Sequence, residues 1–364
     1  MRIVYVFTSL GIGGAERQGL AIAERMAARG HTVSLLILRP RLQQEWPTKL
    51  EVLHLNLRKT PTSFIASLRQ AVRHLQSVKP DLLHSHSFHA NFFARLLKLF
   101  IPSVAVISTV HNIYEGGRLR MLAYRMTDRL SLRTIAVSQA AADNFIQLKT
   151  GPRNKCVVIA NAIDTAEFST DPARRTATRE SMSAGTDFIW LAVGRVAPAK
   201  DYPNLLRAFD EVRAHLPESQ LWIAGEPSAG SSQIIGADPG ENGVRWLGLR
   251  RDVPALLDAS DAFVLSSAWE GMPLVVGEAM AMEKPVVATD VGGVRELLGD
   301  CGSLVPAQSS HALAAAMLQL MRTPAETRTA IGQAARSRIQ SLFNMDSKTG
   351  EWELFYHSLL NHAS

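Results

Sequence analysis

Short apolar, β-branched runs alternate with amphipathic stretches along the whole chain. In the first half the runs are Ile3–Phe7, Thr32–Leu38, Val104–Val110, Ile135–Val137 and Cys156–Ile159. Between them lie stretches with helical spacing, such as Glu16–Arg29 and Ser63–Val78. Apolar runs of this length separated by amphipathic helices predict βαβ units and a parallel sheet covered on both faces. The alternation lapses over 165–187, a polar, turn-rich stretch expected to be a linker, and restarts with Phe188–Val193, Gln220–Ala224, Val244–Leu247, Ala262–Leu265 and Pro285–Ala288 as strands. The expectation is an α/β chain with two Rossmann-like parallel-sheet domains facing a cleft, over 1–164 and 188–342. Residues 343–364 should form a C-terminal helix at the domain junction, returning toward the N-terminal half. Trp352, Leu354, Phe355 and Leu359 give that segment its apolar face.

Length agrees with two domains, since 364 residues exceed what one core ordinarily serves. With 46% hydrophobic and 20% charged residues, the chain has the composition of a globular protein. Two cysteines, Cys156 and Cys301, are too few and too distant to read as a disulfide framework, which points to a reducing cytoplasm. The N-terminal apolar run breaks at Thr8 and Ser9 and lacks a cleavage site, so it reads as a buried strand rather than a secretory signal. No apolar run is long enough to predict a membrane span.

Charge changes the picture more. The formal net charge of +6 conceals 22 Lys and Arg against 9 Asp and Glu in residues 1–164, and 17 against 24 in the remainder. A positive field on the first half suits an anionic partner. No nucleic-acid-binding signature accompanies it, so nucleic acid is set aside in favour of an anionic membrane surface or a phosphate-bearing acceptor. Phe88–Phe100 and Arg118–Arg133 mix apolar and basic residues; helices packed on a sheet look the same, as would helices that dock on anionic lipid.

In open parallel sheets, ligands sit beyond the carboxyl ends of strands, near glycine turns and helix N-termini. Four stretches occupy such positions. Gly11-Ile12-Gly13-Gly14-Ala15-Glu16 lacks the third glycine of a dinucleotide fingerprint, and the second strand ends in Leu38-Arg39 without the carboxylate an NAD ribose requires. A tight turn and a phosphate contact remain equal readings there. Gly194-Arg195-Val196-Ala197-Pro198-Ala199-Lys200-Asp201 places a guanidinium fork and an ammonium on one loop, both able to reach one diphosphate. Glu270-Gly271-Met272-Pro273-Leu274-Val275-Val276-Gly277-Glu278 sets two carboxylates around a turn and a helix start. The amides of Gly271, Met272, Leu274 and Val275 would be available to a phosphate or to sugar hydroxyls. Thr109-Val110-His111-Asn112 ends a buried strand in a histidine that either bonds backbone or touches a ligand. His84, His86 and His89 suggest a metal site, but only Asp81 is near enough in sequence to complete one.

Taken in order, these stretches resemble the family 4 glycosyltransferases, retaining enzymes of the GT-B fold. The resemblance spans nearly the whole chain: Gly13-Gly14-Ala15-Glu16, His84-Ser85-His86, Thr109-x-His111, Ala136-Val137-Ser138, Asn161-Ala162-Ile163-Asp164, Gly194-Arg195 with Lys200-Asp201, and Thr289-x2-Gly292-Gly293-x2-Glu296. The Glu270-x7-Glu278 pair with Gly271 and Pro273 is its most specific part. The resemblance implies that Arg195 and Lys200 bind the donor diphosphate, Glu270 the transferred sugar and Glu278 the ribose. It also implies that His111 lies against the sugar and that Gly14 admits the distal phosphate. Gly225-Glu226-Pro227-Ser228 departs from the Gly-x-Gly-Pro of many relatives, so the loop near the base is expected to differ.

The activity implied is transfer of a hexose or N-acetylhexosamine from a nucleotide-sugar donor, by default a UDP-sugar, to a saccharide or lipid-linked acceptor. Cell-envelope polysaccharide synthesis at the inner face of the membrane is the expected setting. No cofactor is expected: the chain holds no Asp-x-Asp to carry a metal, which leaves fixed cations and helix amides to neutralise the leaving diphosphate. With both glutamates assigned to hydroxyls, no nucleophile remains for a double displacement, so same-face displacement is the expected mechanism. An epimerase acting without an acceptor, a phosphorylase, and a non-catalytic sugar-nucleotide-binding subunit are the alternatives.

Overall fold

A computed structural model describes residues 1–11, 13–113, 115–226 and 243–361. The chain divides into two units, one formed by Met1–Ala162 with Met345–Ser364 and the other by Ile163–Asn344.

The first unit is built on a seven-stranded parallel sheet in the order β3-β2-β1-β4-β5-β6-β7. Its strands are β1 (Arg2–Phe7), β2 (Thr32–Ile37), β3 (Glu51–His54), β4 (Leu82–His86), β5 (Ala105–Val110), β6 (Arg133–Ala136) and β7 (Cys156–Val158). Helices α1 (Gly14–Ala28), α2 (Pro61–Val78), α3 (Phe88–Leu97), α4 (Arg118–Thr127) and α5 (Gln139–Gln147) connect them. Thr60 caps α2 by accepting from the Ser63 amide, with Pro61 at the first helical position, and Ser138 caps α5 through the Ala141 amide. Two apolar layers, one on each face, bury β1, β4 and β5 almost completely.

The second unit repeats the plan with six parallel strands in the order β10-β9-β8-β11-β12-β13. The segment expected as a linker instead carries helix α6 (Pro172–Ser181). Asp171 caps it through the Ala173 and Arg174 amides, and the helix buries no residue. Arg174 pairs with Asp258, and Arg175 and Arg179 reach Asp261 at 2.6 and 3.3 Å. A helix docked through ions leaves no apolar period to read, which is why the alternation lapses there. Strands β8 (Phe188–Val193), β9 (Ser219–Ala224), β10 (Val244–Gly248), β11 (Ala262–Leu265), β12 (Val286–Thr289) and β13 (Ser303–Val305) follow, with α7 (Tyr202–His215), α8 (Val253–Ala259), α9 (Leu274–Ala281), α10 (Val294–Leu298), α11 (Ser310–Arg322) and α12 (Ala325–Leu342).

The last helix, α13 (Met345–Asn361), belongs to the first unit. Met345, Trp352, Tyr356 and Leu359 enter the apolar layer shared by β1 and α1. Arg29 and His31 both bond Glu353 at 2.8 Å, and the Tyr356 hydroxyl meets the Tyr5 hydroxyl at 3.0 Å and His84 Nδ1 at 2.7 Å. No helix among the described residues is long and apolar enough to cross a membrane.

Each sheet reverses its winding between two neighbouring strands, β1 and β4 in the first and β8 and β11 in the second. The carboxyl ends of such strand pairs are where parallel sheets open a crevice for ligands.

Candidate active site

In the second unit, the loops that leave β8 and β11 are braced against each other. The Ala268 amide donates to the Ala199 carbonyl at 2.8 Å, and the Ser266 hydroxyl to the Lys200 carbonyl at 2.8 Å. This brings Lys200 to Glu270, with Nζ 2.6 Å from Oε1, and the Ser267 hydroxyl donates to the same oxygen at 2.7 Å. Both side chains are mostly buried, at 19% and 12% exposure, so the pair sits where water screens it little. Gly194 makes room for it: a Cβ there would lie 2.7 Å from Lys200 Cε. Tyr202, at the start of α7, donates its hydroxyl to the Gly194 carbonyl at 2.7 Å. Burial raises its phenol pKa, and the Glu270 charge raises it further.

Arg195 differs from Lys200. Its side chain is exposed and makes no hydrogen bond or ion pair among the described residues. A fixed ammonium, paired with a carboxylate, and a guanidinium without a partner among the described residues therefore stand on one loop at the switch point.

The Glu270 loop is held from behind by the turn after β12. Thr289 donates its hydroxyl to the Ser267 carbonyl at 2.7 Å, and the Gly293 amide donates to Gly271 O at 2.7 Å. Gly292 adopts φ +54°, and a Cβ on it would stand 2.0 Å from the Glu270 carbonyl. The Thr289-x2-Gly292-Gly293 stretch is thus the support of the Glu270 backbone. Pro273 leads into α9, whose first-turn amides, Leu274 and Val275 among them, have no intrahelical acceptor and carry the positive end of the helix dipole. Met272 is buried in the preceding loop, and Glu278, 5% exposed, lies one turn into the helix. Of the loop where Gly225-Glu226-Pro227-Ser228 departs from relatives, Pro227 and Ser228 lie outside the described residues; the Glu226 carbonyl accepts from the Val196 amide at 3.0 Å.

In the first unit, Gly13 precedes α1 in extended conformation, and Gly14 is its first residue. Ile12 lies outside the described residues. Glu16 folds back over this start, for a Cβ on Gly13 would meet its Oε2 at 2.4 Å. A carboxylate at this helix position offsets the dipole, so an anion at Gly14 would have to share the site with Glu16.

The strand-end histidines bond one another and their neighbours. His84 engages Tyr356 and, through Nε2, Thr109 at 2.7 Å. His86 Nδ1 meets His111 Nε2 at 2.9 Å. Burial pushes the His111 pKa down to about 4, and those of His84 and His86 well below the usual range, so all three are neutral near pH 7. The His111 amide donates to Glu115 Oε1 at 2.9 Å, while Tyr124 donates its hydroxyl to Oε2 at 2.5 Å. Burial raises the Glu115 pKa to about 7. Neither Glu115 nor Tyr124 belongs to a motif, and an acid beside a basic helix gives no signal in the sequence. Thr8 Oγ1, Gln18 Oε1, His86 Nε2 and His111 Nδ1 are buried without a hydrogen-bond partner among the described residues. Three of them stand at the carboxyl ends of β1, β4 and β5, and Gln18 lies in the opening turns of α1. Buried polar atoms are ordinarily satisfied, and these four gather around the carboxyl ends of three central strands.

Residues 12–167 match the model described as Glycosyltransferase Family 4, and residues 187–323 that of Glycosyl transferases group 1. The alpha-D-kanosaminyltransferase of Streptomyces kanamyceticus is 30% identical over 263 residues, covering 66% of this chain and 68% of that one. The chain belongs to the family 4 glycosyltransferases. This glycosyltransferase is also similar to the UDP-Gal:alpha-D-GlcNAc-diphosphoundecaprenol alpha-1,3-galactosyltransferase of Escherichia coli, 26% identical over 242 residues. That match covers 62% of this chain and spans 62% of the relative's length. The crystal structure of Anabaena HepE in complex with UDP and glucose superposes with a TM-score of 0.86 at 23% identity, over 98% of this glycosyltransferase and 100% of HepE, a likeness of fold.

Proposed function

We propose that this glycosyltransferase moves a hexose or N-acetylhexosamine from a UDP-sugar to a saccharide or lipid-linked saccharide, with retention of configuration and without a metal. The observation that carries the reading is the braced Lys200–Glu270–Ser267 cluster on the same loop as Arg195, which has no partner among the described residues, at the switch point of the second sheet. A departing diphosphate needs positive charge fixed in place before the bond breaks. Arg195 supplies a fork for two phosphate oxygens, Lys200 a point charge, and the first-turn amides of α9 a dipole. As Lys200 turns to the phosphate, Glu270 is released to accept hydroxyl hydrogens of the sugar, with Ser267 still holding one oxygen. Glu278 would take the ribose hydroxyls.

The glutamates then serve as hydroxyl acceptors, and no carboxylate is left to form a covalent sugar adduct. In the same-face displacement we favour, the glycosidic C–O bond to the diphosphate breaks as the acceptor oxygen bonds the anomeric carbon. The acceptor proton passes to the departing phosphate oxygen, so charge and atoms balance without an added base.

In the first unit, the unmet polar atoms of Thr8, Gln18, His86 and His111 suit a polyhydroxylated ligand. His111, neutral and held by Glu115 and His86, offers Nδ1 to a sugar hydroxyl. The E. coli relative's name specifies UDP-galactose and a sugar on diphosphoundecaprenol. Together with the basic first half, it favours a lipid-linked acceptor and a cytoplasmic location at the membrane face.

A panel of UDP-, GDP- and ADP-sugars tested for thermal stabilisation in EDTA checks the donor and the metal together. One UDP-sugar should stabilise the protein without metal. Stabilisation that appears only on adding a divalent cation, or none with any nucleotide sugar, would contradict the reading. Anomeric NMR of the product should show retention, and a trapped covalent sugar–protein adduct would replace same-face displacement with double displacement.

A further inference from the structure

Helix α4 carries an apolar ridge that the fold leaves uncovered. Leu119, Leu122 and Met126 are 83%, 50% and 75% exposed. Their spacing of three and four residues stacks them on one face of a helix of about 3.6 residues per turn. Arg118 and Arg125, two turns apart, run as a parallel ridge beside them on the same exposed face, and the exposed Arg129 extends that row into the following 3-10 turn. The opposite face is fixed. Tyr124 is buried, bonded to Glu115 and to Asn91 of α3, Thr127 bonds the buried Arg95, and the Phe88 and Tyr124 rings meet edge to face. Contacts that advance from Phe88 with Arg120, through Asn91 with Tyr124, to Arg95 with Thr127 show α3 and α4 side by side in the same sense. The turn after α3 therefore lies toward the C-terminal end of α4, and its Leu99 and Phe100 are 58% and 52% exposed.

This face is not a core stripe in search of a sheet, because α4 already spends its buried side on α3. Its acidic neighbours are occupied: Glu115 faces inward on Tyr124, and Asp128 holds the Lys155 ammonium at 3.2 Å. What remains outward is leucine and methionine next to arginine. That combination fits the boundary between lipid headgroups and acyl chains, with apolar side chains dipping below and guanidinium groups at the phosphates. A protein partner would need acidic side chains set around an apolar groove, and nothing on this chain calls for one.

We propose that the exposed face of α4, with the Leu99–Phe100 turn, docks on an anionic lipid bilayer, with Leu119, Leu122 and Met126 inserted and Arg118, Arg125 and Arg129 on lipid phosphates. The docking bears on the proposed lipid-linked acceptor but does not depend on it, since binding to lipid is read without any transfer reaction.

Flotation of the full-length protein with phosphatidylcholine vesicles and with mixed phosphatidylcholine–phosphatidylglycerol vesicles tests this. Binding should require phosphatidylglycerol and weaken with salt. Arg118→Glu/Arg125→Glu should lower the partition constant by at least about 25-fold, from about fivefold for each arginine lost at the surface. Leu119→Ser/Leu122→Ser/Met126→Ser should abolish binding while leaving UDP-sugar binding and the thermal midpoint unchanged, as expected for side chains that touch solvent. A single Met126→Trp substitution adds one indole to the ridge, and its emission, taken as the difference from the parent protein, should shift to the blue on anionic vesicles, which reports insertion directly. Equal binding to both vesicle types, full binding by the triple variant, or a difference emission that stays at the water-exposed wavelength would each overturn the proposal, whatever the transferase assays show.

Discussion

The two units share a plan and differ in what they bury. The second packs an apolar core of Trp190, Leu205, Phe209, Leu221, Ile223, Val264 and Met317, buries fewer polar groups, and carries its site chemistry on the loops and helix starts beyond the strands. The first carries polar groups into the sheet itself. His84, Ser85 and His86 fill the end of β4, Ser108 and Thr109 sit in β5, and Arg95 is completely buried. Arg95 donates to Ser108 at 3.1 Å, Thr134 at 3.0 Å, the Tyr124 carbonyl at 3.1 Å and Thr127 at 3.3 Å, and lies 4.9 Å from the Tyr124 ring centre. A nucleotide diphosphate can be held by loops on an apolar scaffold. The first unit instead commits its interior to fixing one set of polar side chains near His111, as recognition of a particular hydroxylated partner would require.

If that contrast holds, the second unit should lose function without losing fold, and the first should lose fold. The largest effects should come from the Lys200–Glu270 pair, where Lys200→Ala removes fixed charge that would face the leaving group and should lower kcat by about 100- to 1,000-fold. Glu270→Ala should abolish detectable transfer by the same assay. Next comes Arg95→Leu, which strands hydroxyls and a carbonyl in the core of the first unit. A loss of about 3 kcal/mol in its denaturant unfolding is expected, and a loss near zero would show that the buried network is ornamental.

Smaller again is the effect of Glu115. Its pKa, raised by burial to about 7, means the folded state holds the proton more tightly than the unfolded state does. Stability should therefore fall as pH rises from the ordinary carboxylate range through about 7, the reverse of a salt-bridged acid. Glu115→Gln should flatten this slope in thermal midpoints measured between about pH 5 and about pH 8, and an unchanged slope would place the ionisation elsewhere. Helix caps should mark the lower bound and ignore the contrast. Thr60→Ala in the first unit and Ser309→Ala in the second each remove one side-chain bond to a helix amide, and each should cost about 1 kcal/mol.

The same contrast governs what can be read in the sequence. Most strand positions and the site loops of the second unit are legible, because buried parallel strands and glycine-punctuated loops have periods and spacings of their own. The pairing of Lys200 with Glu270, seventy residues apart, is not, and neither is the part played by Tyr202, whose hydroxyl matters only once the β8 loop is folded. Helix α6 escapes the pattern because its partners are Asp258 and Asp261, distant in sequence and ionic rather than apolar. In the first unit His111 is legible as a strand-end histidine, but its holders, Glu115 and His86, and the burial of Arg95 depend on how β4, β5, α3 and α4 come together. Strands β3 and β13 are largely exposed or half-buried and make no unbroken apolar run.

Calorimetric titration of UDP in EDTA, for the parent protein and for Arg195→Ala, tests the central claim most directly, because Arg195 is exposed and supports no other contact among the described residues. Binding by the parent and a Kd raised about 10- to 100-fold in the variant, as loss of charge-assisted hydrogen bonds to phosphate requires, is the predicted result. Equal Kd values for the two, or no UDP binding by the parent without added metal, would contradict it.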